Sequence, residues 1–167
     1  MKWILFAVLA LVGIVLAVVF IGMLLPKSHT VSRSRRFHQP PDQVWAVITG
    51  PPTWRSDVRS FEELPARDGH RMWKETGRDG QSIPYEAIES AQPSRLVTRI
   101  ADSALPFGGT WTYEIAPQAG GTFLTITENG EVYNPIFRFM SRFVFGHATT
   151  IETYLKALSA KLGERGN

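Results

Sequence analysis

The sequence predicts an α+β fold behind one apolar N-terminal segment, and three observations carry that prediction. Residues 3–25 run without a single charge. Between Ser60 and Tyr133, strand-like runs alternate with turn signals at the spacing of an antiparallel meander. From Pro135 to Leu162, apolar residues recur at the period of a helix. On that helical wheel Ile136, Met140, Phe143, Val144, His147, Ile151, Tyr154, Leu155, Leu158 and Leu162 form one stripe. Arg138, Arg142, Thr149, Glu152 and Lys156 lie opposite. A stripe of this length needs a broad apolar partner, because tertiary packing supplies most helical stability. The preceding strands make a sheet the natural partner.

Taken in order, Trp3–Leu25 would form a helix of about 34 Å, enough for a hydrocarbon core of about 30 Å. Trp3 and Lys27 suit the two interfaces. Lys2 also permits a signal-peptide reading. The run is longer than a usual signal core, however, and Met23-Leu24-Leu25-Pro26-Lys27 is a poor cleavage site. The expected division is a transmembrane anchor over residues 1–27 and one domain over 28–167. The side of the membrane stays open. Lys27, Arg33, Arg35 and Arg36 favour a cytoplasmic domain, whereas Lys2 on its short tail favours the reverse. Gly13 and Ala17 form a small-xxx-small pair, a pattern frequent by chance in apolar helices.

Thr30–Phe37 reads as a first strand. Pro40-Pro41-Asp42 opens a short helix that Gly50 and Pro51-Pro52 stop. Thr53–Val58 suits a second short helical turn. The meander follows as Ser60–Leu64, His70–Thr76, Ser82–Ser90, Leu96–Asp102, Gly109–Ala116 and Thr122–Tyr133. Alternation puts Trp111, Tyr113 and Ile115 on one face, Leu124, Ile126 and Glu128 on one face, and Trp73 with Glu75. Asn129-Gly130 reads as a bulge within one long last strand rather than a hairpin turn.

The bulk numbers exclude several classes. The net charge of +3 includes Lys2 and Lys27, which leaves 16 basic and 15 acidic residues beyond Lys27. A near-neutral domain is not built for nucleic acid, which wants a clustered basic face. The chain has no cysteine, so disulfides, thiolate catalysis and cysteine-held metals are excluded. Its four histidines, His29, His38, His70 and His147, lack paired-ligand spacing, and no metal site is expected. Nucleophile elbow, phosphate loop and dinucleotide fingerprint are all absent, and no cofactor is expected.

Particular residues then resemble the SRPBCC superfamily, the START-like helix-grip proteins of polyketide cyclase/dehydrase type. They are Pro40-Pro41-Asp42-Gln43-Val44-Trp45, Trp54, Leu105-Pro106-Phe107-Gly108-Gly109-Thr110-Trp111, and the run from Thr125 to Pro135. The resemblance covers about Ser28 to Gly163. It implies a curved antiparallel sheet of about seven strands wrapped around a long C-terminal helix, with two short helices after strand one. It also implies an apolar cavity between sheet and helix that takes lipids, sterols, quinones or polyketides. The superfamily offers no shared catalytic motif to carry over.

Candidate ligand-binding residues are Trp54, Trp73, Tyr85, Trp111, Tyr113, Met140, Phe143, His147 and Ile151, with plain core packing as the competing reading of each. Candidate acid/base residues are His147, Glu128 and Glu75. An imidazole or carboxylate in an apolar cavity can exchange protons near neutral pH, but the favoured readings are a buried structural histidine and glutamates that point to solvent or pair with an arginine. The stretch from Phe137 to Gly146 mixes phenylalanine with Arg138 and Arg142. It suits a membrane interface, or else Gly146 breaks the helix and rotates the wheel before it. The expected partners are a hydrophobic small molecule and, through residues 3–25, the membrane. A cyclase/dehydrase-type enzyme and a membrane-tethered partner-binding module remain as alternatives.

Overall fold

A computed structural model of the chain describes residues 2–146 and 148–164, save the side chain of Phe145. The first helix, α1 (Lys2–Leu24), is followed by β1 (Ser28–Phe37) and α2 (Pro41–Thr49). Then come β2 (Val58–Arg67), β3 (His70–Gly77), β4 (Ser82–Ala91), β5 (Arg95–Ile100), β6 (Phe107–Gln118) and β7 (Gly121–Val132). The chain closes with α3 (Pro135–Met140), a five-residue π turn (Ser141–Phe145) and α4 (Thr149–Lys161). The seven strands form one sheet in the order β1-β7-β6-β5-β4-β3-β2, with every neighbouring pair antiparallel. This is the α+β helix-grip arrangement expected from the sequence.

The core lies where α4 and α2 meet the central strands. Ile151, Tyr154, Leu155 and Leu158 of α4 pack with Leu96, Tyr113, Ile115, Leu124, Ile126, Phe37, Val44 and Trp45. Leu124, Ile126, Ile151, Leu158 and Val44 are wholly buried. Each such side chain contributes about 1.5–3 kcal/mol of transfer free energy, so this cluster sets the sheet–helix spacing.

Three local features depart from the sequence expectations. Thr53–Val58 is not a helix. It is two successive turns, closed by Arg55 N–H to the Pro52 carbonyl and Val58 N–H to the Arg55 carbonyl. β7 carries no bulge at Asn129-Gly130, since its register with β1 and β6 runs unbroken.

The third departure is the C-terminal segment. Asn134 caps α3 by accepting from the Ile136 and Phe137 amides, at 2.9 and 3.3 Å, with Pro135 in the first turn. The π turn then inserts an extra residue per turn. Gly146 follows with φ of 75°, a left-handed conformation that favours glycine and ends the helix. The wheel is therefore out of phase before Gly146. Ile136, Phe143 and Val144, expected on the buried stripe, are 42%, 60% and 58% exposed. Arg138, expected outside, is buried at 7%. Its guanidinium donates to the carbonyls of Leu25, at 3.0 Å, and Tyr133, at 3.2 Å. It thus ties α3 to the end of α1, where a cation suits the terminal carbonyls.

Candidate ligand cavity

Two cavities open between the sheet and the helices. The larger has a volume of about 690 Å³ and the smaller about 540 Å³, both in the range of small-molecule sites. Arg55, Trp73, Glu75, Thr98, Tyr113 and Tyr154 border both. They form a partition. Arg55 donates to Glu75 at 2.8 Å and Asp57 at 2.5 Å, and its guanidinium lies 5.6 Å from the Tyr154 ring centroid. Trp73 donates its indole N–H to the other Glu75 oxygen at 3.0 Å. Glu75 is thus an arginine-paired carboxylate, not an isolated one.

Aromatic rings wall the larger cavity. Trp73 stacks on Tyr85 at 5.6 Å, and Trp111, Tyr113 and Tyr154 form a triangle with centroids 5.6 to 6.1 Å apart. The pleat explains the grouping: Trp111 and Tyr113 are two residues apart on β6, and Trp73 lies directly across from Tyr85 on β4. Burial pushes the Tyr85, Tyr113 and Tyr154 phenols well up, so all three stay neutral. On α4, Thr149, Thr150 and Thr153 put a threonine rim beside the core stripe.

Glu128 on β7 faces this cavity. Burial raises its carboxyl above the ordinary range, and the neighbouring Trp111 side chain partly counters the shift. One of its oxygens, Oε2, is buried with no hydrogen-bond partner. His29 of β1 lies beside it, with Nε2 3.5 Å from Oε1. The register accounts for the pair: His29 sits opposite Gly130, diagonal to Glu128 on the same face. A Cβ at Gly130 would overlap the imidazole, so the glycine makes room for His29.

The sequence candidates separate as follows. Trp73, Tyr85, Trp111, Tyr113, Glu75 and Glu128 all line the larger cavity. Trp54 instead packs edge-on against Tyr154 at 5.3 Å, outside the lining of both cavities. Ile151 is wholly buried in the core. Met140 is partly buried and lines neither cavity. Phe143 is exposed, with its ring 4.9 Å from that of Phe139. His147 lies outside the described residues. Sequence reasoning missed His29 and Arg55 as cavity residues. His29 carries no local signal, and Arg55 adjoins Trp54 in a turn whose direction the sequence does not give. Among the described residues, no cluster of three or more histidine or acidic side chains could hold a metal.

Residues 28–163 match the family described as polyketide cyclase / dehydrase and lipid transport. The chain belongs to this family. The SRPBCC resemblance read from Pro40–Trp45, Trp54, the Leu105–Trp111 run and the Thr125–Pro135 run is the same relationship seen from the residues. The cyclase/dehydrase and lipid transport fold recurs in solved structures of low sequence identity. A Thermus thermophilus protein is 19% identical with a TM-score of 0.64, covering 80% of this chain and 97% of that one. A Mesorhizobium loti protein is 17% identical with a TM-score of 0.62, covering 81% and 97%. An Arthrobacter aurescens protein is 17% identical with a TM-score of 0.59, covering 83% and 88%. At these identities the likeness concerns the fold. No curated protein matches the chain. The family's description points to hydrophobic ligands, and α1 lies outside the matched span. α1 is long and apolar enough to cross a membrane by length and composition, a test that a signal sequence also passes.

Proposed function

We propose that this protein binds one hydrophobic small molecule, of lipid, quinone or polyketide-like character, in the larger cavity, and that residues 1–27 anchor the domain of residues 28–167 to a membrane. The observation that carries the reading is the cavity of about 690 Å³ walled by Trp73, Tyr85, Trp111 and Tyr113. Burial of apolar groups there drives binding, at about 0.8 kcal/mol per methylene. Glu128 orients the ligand, because its unpartnered buried oxygen accepts a hydroxyl or amide proton. The anchor keeps the cavity beside the reservoir of apolar compounds. α1 fits this role better than that of a core helix, since nearly all its side chains are exposed apolar groups.

The test is photo-crosslinking of the full chain in nanodiscs that contain a diazirine-bearing acyl lipid, followed by peptide mapping. Adducts are expected on β3, β4 and β6 as well as on α1. Adducts confined to α1, with the aromatic wall unlabelled, would count against a lipid in the cavity.

A second reading rests on the His29–Glu128 pair. A carboxyl of raised pKa 3.5 Å from an imidazole, on the cavity wall, suits acid/base catalysis on the bound molecule. Glu128→Gln separates the two: a binding protein keeps its ligand, whereas an enzyme keeps the ligand and loses turnover.

A further inference from the structure

α3 and the π turn expose a run of large apolar side chains. Phe137 is 51% exposed, Phe143 60% and Val144 58%, with Ile136 and Tyr133 above two-fifths. None of these is explained by the core, and together they form an apolar patch of the kind that marks an interaction site.

The position of the patch relative to α1 says what covers it. α3 packs against α1. Among the described residues of α1, only Val18, Val19 and Gly22 are not exposed. A Cβ at Gly22 would overlap the Pro135 carbonyl, so the start of α3 lies level with the last turn of α1. Arg138 then holds the Leu25 carbonyl at 3.0 Å, and the Lys27 carbonyl accepts from the Val132 amide at 2.8 Å. Two contacts thus fix α3 against the end of α1, and the third joins the end of β7 to the link between α1 and β1. Val18 to Leu24 spans about 9 Å of helix, and α1 as a whole is little longer than a hydrocarbon core of about 30 Å. A helix held at that level cannot stand clear of a bilayer that α1 crosses.

We propose that α3 and the π turn are a second membrane element, lying in the plane of the interface with Phe137, Phe143 and Val144 inserted, and that the larger cavity opens there, onto the leaflet. Ser141 and Gly146 of this segment border the cavity, as do Phe107, Gly108 and Val132 at the adjoining strand ends. The same short segment is therefore bilayer contact on one side and cavity rim on the other. Arg142 and Lys27, both exposed, belong at the headgroups. A ligand then passes between leaflet and cavity without crossing water. This inference rests on the anchored-cavity reading above and adds its route of entry.

The chain has no cysteine, so single cysteines can be placed without removing any. The full chain is reconstituted in liposomes, with an environment-sensitive fluorophore at F137C, F143C or V144C. V12C in α1 serves as the membrane-centre control and D79C in the exposed β3–β4 turn as the aqueous control. All the test positions are exposed, so the fold tolerates them. Nitroxide lipids report depth. Labels at 137, 143 and 144 are expected to shift to the blue and to be quenched more by nitroxides near the headgroup than by nitroxides at the chain end. That corresponds to insertion of about 5–10 Å. If these labels match D79C while V12C is deeply quenched, the inference is overturned and the anchored cavity stands. If V12C is itself in water, the anchor fails and takes the inference with it. Blue-shifted labels without lipid quenching, together with disulfide dimers of F143C, would assign the patch to a second copy and equally overturn it.

Discussion

Thr153→Trp fills the larger cavity without touching the core. Thr153 lies on α4, is exposed, and borders the cavity beside the aromatic wall. Threonine and tryptophan have similar helix propensities, so the fold itself should change by no more than about 0.5 kcal/mol. An indole directed into the cavity would bury about 150–250 Å². At about 25 cal/mol per Å², that is about 4–6 kcal/mol of apolar contact withdrawn from a ligand. Counting only half of it, for repacking and a residual free volume, leaves about 2–3 kcal/mol, or an affinity lower by about thirtyfold or more. The assay is scintillation proximity with tritiated oleate on the full chain in a non-ionic detergent, with thermal unfolding as the control. Undiminished oleate binding by a normally folded Thr153→Trp protein would refute the placement of the ligand.

The other predictions concern charge, core and junction. Burial raises the Glu128 carboxyl, so its ionisation opposes folding: its contribution is most favourable at acid pH and is lost as pH rises from the ordinary carboxylate range through the raised value. Glu128→Gln should remove that loss and raise the melting temperature at neutral pH; an unchanged pH profile would contradict the burial argument. Glu86 behaves oppositely. Arg99, His70 and Arg67 close on its carboxylate and hold it near 2 rather than the ordinary 4.5. Its stabilisation is complete above about 4.5 and is lost as pH falls through about 2, so Glu86→Gln should be less stable at neutral pH with a flatter acid limb in a denaturation series. Leu158→Ala, at a fully buried α4 position, should cost about 2–5 kcal/mol by urea unfolding. Arg138→Met removes two bonds of about 1.5–3 kcal/mol each, partly offset by relief of a buried guanidinium. It should speed amide exchange at Val132, whose partner is the Lys27 carbonyl, while the α4 amides stay protected.

The parts of the fold that depend on local period were legible in the sequence. Alternation placed Trp111 and Tyr113 on one face and Glu128 with Leu124 and Ile126, because the pleat allows no other arrangement over so few residues. The break at Gly146 was legible as a possibility, since glycine alone marks it. Its consequence was not. A wheel assumes one constant angle per residue, and the π turn with a left-handed glycine resets the phase. That is why Arg138 reads as exposed and Phe143 as buried when the reverse holds. The His29–Glu128 pair was invisible for a different reason. It depends on the register between β1 and β7, strands separated by nearly the whole domain, and on a glycine whose missing side chain admits the imidazole. The Arg55–Glu75 pair likewise needs the direction of a turn that propensity does not supply.

The central claim is that an apolar molecule occupies the space between the sheet and α4. The most direct measurement is native mass spectrometry of the full chain, released from detergent, with solvent extraction of whatever co-purifies. One apolar compound per chain is expected in the wild type, and its loss in Thr153→Trp. Absence of any bound apolar species across several extractions, or equal retention by the filled variant, would contradict it.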